Sequence, residues 1–217
     1  MRTWQAVALG MLLTGAILLY SLALYPHLPD LIPIHWDWHG RVDGWADKRW
    51  AIFLMPGTML LILGAMVALP ALSPRRFQIE PFAGTFNYLM LVTCGLMGYL
   101  QIVMLQSALH PEADMGRVLV AGIFLFLGLM GNVLGRTRRN FWMGIRTPWT
   151  LASDTVWIAT HRLAGKLLVA AGVFGVVAIL LGVPLPLCFI GLMCALLIPA
   201  LYSYVLYQRL EGGGPVG

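Results

Sequence analysis

The sequence predicts an all-α membrane protein: a six-helix transmembrane bundle with one long extracytoplasmic loop and one long cytoplasmic loop that contains an interfacial helix. Composition carries the first step. Of 217 residues, 59% are hydrophobic and only 11% charged, with a mean hydropathy of +0.81, where soluble domains have about 45–50% apolar and about 25% charged residues. Run length carries the second, because six apolar stretches reach the roughly 20 residues a helix needs to cross a hydrocarbon core. Charge placement carries the third. Ten of the 14 Lys and Arg, among them Arg2, Arg75, Arg76, Arg136, Arg138, Arg139, Arg146, Arg162, Lys166 and Arg209, fall on the side that holds both ends of a six-crossing chain. Arg41, Lys48, Arg49 and Arg117 fall on the other. Basic residues mark the cytoplasmic side, so both termini are expected there, and the net charge of +5 reports topology rather than a nucleic-acid partner. One polytopic domain covers residues 1–210, with an outer loop at 26–48 and a cytoplasmic loop at 136–162; the glycine-rich tail, 211–217, is expected to be disordered.

The first run extends from about Trp4 to Tyr25. A cleaved signal peptide is the alternative, since Arg2 precedes it and Ser21-Leu22-Ala23 resembles a cleavage site, but the apolar stretch exceeds the usual 7–15 residues or so. The second, about Trp50 to Leu72, contains Pro56, and the sixth, about Leu185 to Tyr207, contains Pro199; each kink needs neighbours to satisfy the freed carbonyls. The third, about Phe86 to Leu109, carries Asn87, Thr93, Gln101 and Gln106 for hydrogen bonds between helices. Small residues recur at Gly128, Gly131 and Gly135 in the fourth, about Val118 to Gly135, and at Gly172 and Gly175 in the fifth, about Leu163 to Gly182, allowing close helix approach. No run has an ionisable residue near its centre, which ranks ion-coupled transport low. Cys94, Cys188 and Cys194 lie within apolar runs and read as small buried hydrophobes. All eight tryptophans sit at run ends or in loops, the pattern of an interfacial belt.

Two loops are too long and too polar to be spacers. In the outer one, Pro26, Pro29 and Pro33 forbid a regular helix, while Gly40 and Asp43-Gly44 supply turn chemistry. An extended segment, a turn and a helix capped by Asp47 are expected. Alternation along an extended chain puts His35, Asp37 and His39 on one face and Trp36 and Trp38 on the other. Such a face, with Asp43 after the turn, is a candidate zinc site; hydrogen bonding of the loop to itself is the simpler reading, and no cofactor is expected. In the inner loop, Thr147-Pro148 fits an N-cap followed by proline at N1, so a short interfacial helix should begin there, before the fifth crossing. Asp154 and His161, seven residues apart, would share a face. A polybasic rim drawn to anionic phospholipid accounts for Arg136, Arg138 and Arg139. It does not account for Asn140, Arg146, Asp154 and His161, which have the look of a specific hydrogen-bonded constellation.

The stretch Asn140-x-x-x-Gly144-Ile145-Arg146-Thr147-Pro148-Trp149-Thr150-Leu151-x-Ser153-Asp154-x-x-Trp157-x-x-Thr160-His161-Arg162-x-x-Gly165 closely resembles the signature of the SdpI family of bacterial immunity proteins. The outer loop, Leu28-Pro29-x-x-Ile32-Pro33-x-His35-Trp36-x-x-x-Gly40-x-x-Asp43-Gly44, resembles the domain of unknown function that commonly precedes it. The resemblance implies a multi-pass protein of the bacterial cytoplasmic membrane. It also implies protection against a secreted, membrane-active peptide toxin and inward signalling through a transcriptional repressor held at the membrane. His39 departs from the family, whose members often have a small or polar residue there, so a His35–His39 metal pair would be peculiar to this chain.

The expected function is therefore immunity and signal transduction. His35, Asp37 and Asp43 are the expected ligand contacts outside, and Asn140, Arg146, Asp154, His161 and Arg162 those inside. The competing readings are a membrane-embedded enzyme, metal-dependent or not, acting on lipid or peptide, and a lipid or envelope-stress sensor binding headgroups through Arg146 and Arg162. Against the enzyme stand the lack of H-E-x-x-H, G-x-S-x-G and phosphate-loop motifs and the separation of the candidate acids and bases across the membrane.

Overall fold

Lys48 to Leu72 shows how these residues build a span. Asp47 accepts the Arg49 amide at 2.8 Å and caps the helix, which then runs for 25 mainly apolar residues. The computed structural model describes residues 2–211, without the side chains of Arg76 and Glu211. Its helices are α1 (Thr3–Leu24), α2 (Lys48–Leu72), α3 (Ala83–Leu109), α4 (Met115–Leu134), α5 (Pro148–Ala152), α6 (Asp154–Leu180) and α7 (Leu185–Glu211). Among the described residues, all of these but α5 are long and apolar enough to cross a membrane, six helices in all. The tail expected at 211–217 lies, from Gly212 onward, outside the described residues.

The helices pack as two groups of three. In the first, α1, α2 and α3 enclose Met59, Met66, Phe86 and Cys94; in the second, α4, α6 and α7 enclose Phe124, Leu168, Cys188 and Leu192. Contacts between α3 and α4 join the groups. Lipid tails are as apolar as leucine, so close packing and polar contacts drive association. The glycines serve that end: a Cβ on Gly131 would stand 2.8 Å from the Gly165 carbonyl oxygen, and one on Gly172 2.7 Å from Gly128 Cα.

Two elements differ from expectation. The outer loop is a two-stranded antiparallel hairpin, β1 (Leu31–Trp36) and β2 (Val42–Asp47), in which Ile32 faces Ala46 and His35 faces Gly44. A lone hairpin is marginal in water. This one rests on α2 and α3 through a core of Leu28, Ile32, Ala51, Ile52, Met104 and Leu105. The helix expected to begin at Pro148 has only the five residues of α5, and α6 begins at Asp154 rather than near Leu163. Ser153 is the cause: it ends α5 and caps the next helix by accepting the Val156 amide.

Candidate functional site

On the hairpin face, the expected alternation ends at Trp36. The Asp37 carboxylate accepts the His39 and Arg41 amides at 2.8 and 2.9 Å and turns the chain back, a role its short acceptor side chain suits. Those amides, Arg41 first and then His39, hold the Asp37 carboxyl below its usual range. The side chains consequently pair, once across the hairpin and once within its turn, instead of converging. His35 Nδ1 lies 2.5 Å from an Asp43 oxygen, while His39 Nδ1 is 3.7 Å from Asp37. Among the described residues no three His, Cys, Asp or Glu come together as metal ligands. Asp47, bonded by the Arg49 guanidinium and then by its amide, is held down at about 2. Gly40, with φ +84°, forms the tip and lies against Gly116 in the first turn of α4. Beside it Trp36, Trp45, Ser107 and Asp114 help line a cavity of about 340 Å³.

On the opposite face the loop between α4 and α5 is folded around its own polar groups. Asn140, buried, accepts the Trp142 and Met143 amides at 2.8 and 2.9 Å and donates to the Arg138 carbonyl. Thr147 caps α5, and Thr150 Oγ1 donates toward the Ile145 carbonyl at 2.8 Å. His161 Nε2 accepts the Ile145 amide at 2.9 Å while Nδ1 faces the Trp157 carbonyl at 2.8 Å. The ring therefore carries its proton on Nδ1. Gly144, with φ +106°, lets the backbone approach this imidazole: a Cβ there would be 2.3 Å from Nε2.

The inner residues thus divide. Asn140 and His161 hold one loop, and Arg146 donates to the Phe141 carbonyl within it. Asp154 pairs with Arg139 at 3.0 Å rather than with His161. Arg162 lies apart, in a groove between α4 and α6.

Several residues carry more than their sequence context suggested. Arg139, expected in a basic rim, also donates to the Leu151 carbonyl at 2.8 Å and lies over the Phe77 ring. Trp157, expected in the belt, is fully buried, stacked on His161, and donates to the Thr137 carbonyl. Trp142 donates to Ser73 at 2.7 Å and Trp149 to Ser203. Arg117 donates to the Ile179, Gly182 and Val183 carbonyls where α6 ends, satisfying acceptors that a helix end leaves free. The only sequence signal for these roles was a polar or aromatic residue near a span end, which the belt explains equally well.

Six crossings, a packed hairpin on one face and a hydrogen-bonded aromatic loop on the other define a multi-pass helical membrane protein with two structured faces. Residues 136–203 match the SdpI/YfhL protein family, and residues 12–60 match a domain of unknown function (DUF1648). The chain is 32% identical over 196 residues to Immunity protein SdpI of Bacillus subtilis (strain 168), an alignment covering 89% of this chain and 92% of that one. The chain belongs to the SdpI/YfhL protein family. No solved structure matches it.

Proposed function

We propose that this protein is a non-catalytic immunity and signal-transduction protein of the bacterial cytoplasmic membrane, protecting against a secreted, membrane-active peptide toxin. The observation that carries the reading is 32% identity to Immunity protein SdpI along nearly the whole of both chains. The basic residues favour an orientation with both termini and the 136–162 loop in the cytoplasm. In that orientation the hairpin faces the incoming peptide. His35, Asp37 and Asp43 are its polar contacts, beside the exposed Trp38 and Trp45, whose rings suit an amphipathic ligand. Asn140, Arg146, Asp154, His161 and Arg162 form the inward-facing half, which responds to the bound state and meets the repressor that relays it. Signalling of this kind requires the peptide to bind two conformations with different affinity.

Survival of a toxin-sensitive bacterium, producing the parent or matched amounts of His35→Ala or Arg146→Ala and challenged with the family's peptide toxin, tests the reading. Protection by the parent, lost in a variant that inserts normally, is the expected result. Failure of well-expressed parent protein to protect against that toxin would remove immunity to it as the function, and a C-terminal topology reporter reading extracytoplasmic would reverse the roles of the two faces.

A further inference from the structure

We propose that the groove between α4 and α6, on the face that carries the 136–162 loop, seats one anionic phospholipid: its phosphate on Arg136, Arg162 and Lys166, and an acyl chain against Leu129, Val169 and Val173. The site is built by the close approach of two helix backbones. Gly131 and Gly165 touch through backbone atoms, and the Arg162 stem crosses over Gly135, whose added Cβ would stand 3.3 Å from Arg162 Cγ. Arg162 and Lys166, four residues apart on α6, share a face, and Arg136 follows the end of α4. Together they border a space of about 660 Å³.

Charge identifies the headgroup. Lys48, Arg49, Arg117 and Arg139 each pair with an aspartate. Among the described residues, no ion pair or side-chain hydrogen bond engages Arg136, Arg162 or Lys166. Three uncompensated cations at the rim of an apolar bundle call for an anion, and a phosphate ester accepts from all three. Continuity identifies the rest of the molecule. Asn132 and Val169 line this space and also an apolar groove of about 420 Å³ that continues along the same two helices. From Val169 to Val177 that groove follows about 12 Å of helix, and Leu129, Val173 and Val177 in it are exposed where lipid would surround the protein. A soluble phosphate would use the cations and leave the apolar half empty. A diacyl phospholipid uses both. The seat stands independently of the immunity reading.

The test is native mass spectrometry of the full chain in neutral detergent, titrated with phosphatidylglycerol, phosphatidylcholine or glycerol 3-phosphate. We expect phosphatidylglycerol to bind at least about tenfold more tightly than phosphatidylcholine. Each of Arg136→Gln, Arg162→Gln and Lys166→Gln should weaken it about fivefold, the effect of one basic residue near a charged surface. Val173→Trp, which crowds the groove without touching a charge, should also weaken it while the melting temperature stays at the parent value. Equal binding of phosphatidylcholine, or indifference to the three charge variants, would reduce the seat to ordinary lipid contact and overturn it. Competition by glycerol 3-phosphate at the affinity of the lipid would overturn it in favour of a soluble anion, and a dimer that buries this face and excludes lipid would overturn it in favour of an interface between copies.

Discussion

Ile52 loses its helical hydrogen-bond donor because Pro56, four residues on, has no N–H. Gln101 on α3 supplies the replacement: its amide nitrogen lies 3.3 Å from the Ile52 carbonyl, and 3.2 Å from both the Ala51 carbonyl and Ser21 Oγ. One buried side chain thereby ties α3 to the turn of α2 that precedes Pro56 and to α1. Gln101→Leu should lower the unfolding free energy in detergent by about 1–2 kcal/mol, within the range for a buried acceptor left unpaired and for polar contacts between membrane helices. In a Pro56→Ala background, where residue 56 again offers its amide to Ile52, the loss should fall by at least about 0.5 kcal/mol, the coupling expected of groups that share one acceptor. An equal loss in both backgrounds would mean that Gln101 acts elsewhere. The proline and the need for a partner were legible in the sequence. The identity of that partner was not, because a span's composition does not reveal which face meets which neighbour. The same gap hid Arg139 and Trp157, whose partners lie 15 and 20 residues away along the chain.

At the scale of elements, apolar runs located all six spans, since crossing length is set by the bilayer. Their polar ends were harder to read. Asp154, His161 and Arg162 made the start of α6 look like loop, yet Ser153 caps the helix ahead of them and its first turns, with Val156, Trp157, Thr160 and His161 buried, pack on protein. Alternation along the outer loop failed at Asp37 because a side-chain-capped turn intervened. His35, Asp37 and Asp43 stood out in the sequence as polar groups of that loop, but their pairing depends on register irregularities around His35 that spacing does not encode. Glycine supplies a sharper test at this scale. Gly144 and Gly182 both have positive φ, but a Cβ at Gly144 would strike His161 while one at Gly182 would meet nothing within 4 Å. Gly182→Ala should cost about 1 kcal/mol, the penalty of a left-handed backbone. Gly144→Ala should cost about 2–4 kcal/mol, because the imidazole must also abandon the Ile145 amide. It should change Trp157 fluorescence as well, since that ring stacks on His161. Equal costs, with fluorescence unchanged, would remove His161 as the anchor of the loop.

For the whole molecule, the two helix groups are clasped at both faces. On one face the hairpin tip reaches across to the second group, where Gly40 meets Gly116 of α4 and approaches Leu185 of α7. On the other, the loop after α4 sends Trp142 and Met143 into the first core and Ile145 into the second. Between the clasps, the glycine contacts bring the backbones of α4 and α6 together, and α6 carries His161, which holds Ile145. A continuous packed route therefore runs from Gly40 through α4 and α6 to the far loop, and coupling along it requires an element whose equilibrium both faces bias. Gly116→Val tests it. An added Cβ would stand 2.0 Å from the Gly40 carbonyl oxygen, so the tip must lift or α4 must tilt. Hydrogen exchange should then quicken in the hairpin amides and also in those of Trp142, Met143 and Ile145. Gly64→Val, where a Cβ meets nothing within 4 Å, should leave both regions as they were. Faster exchange confined to the hairpin would mean that the faces open independently. Under the proposed function, a peptide held at the hairpin would then still be neutralised there, and the proposed signal would need a route other than α4 and α6.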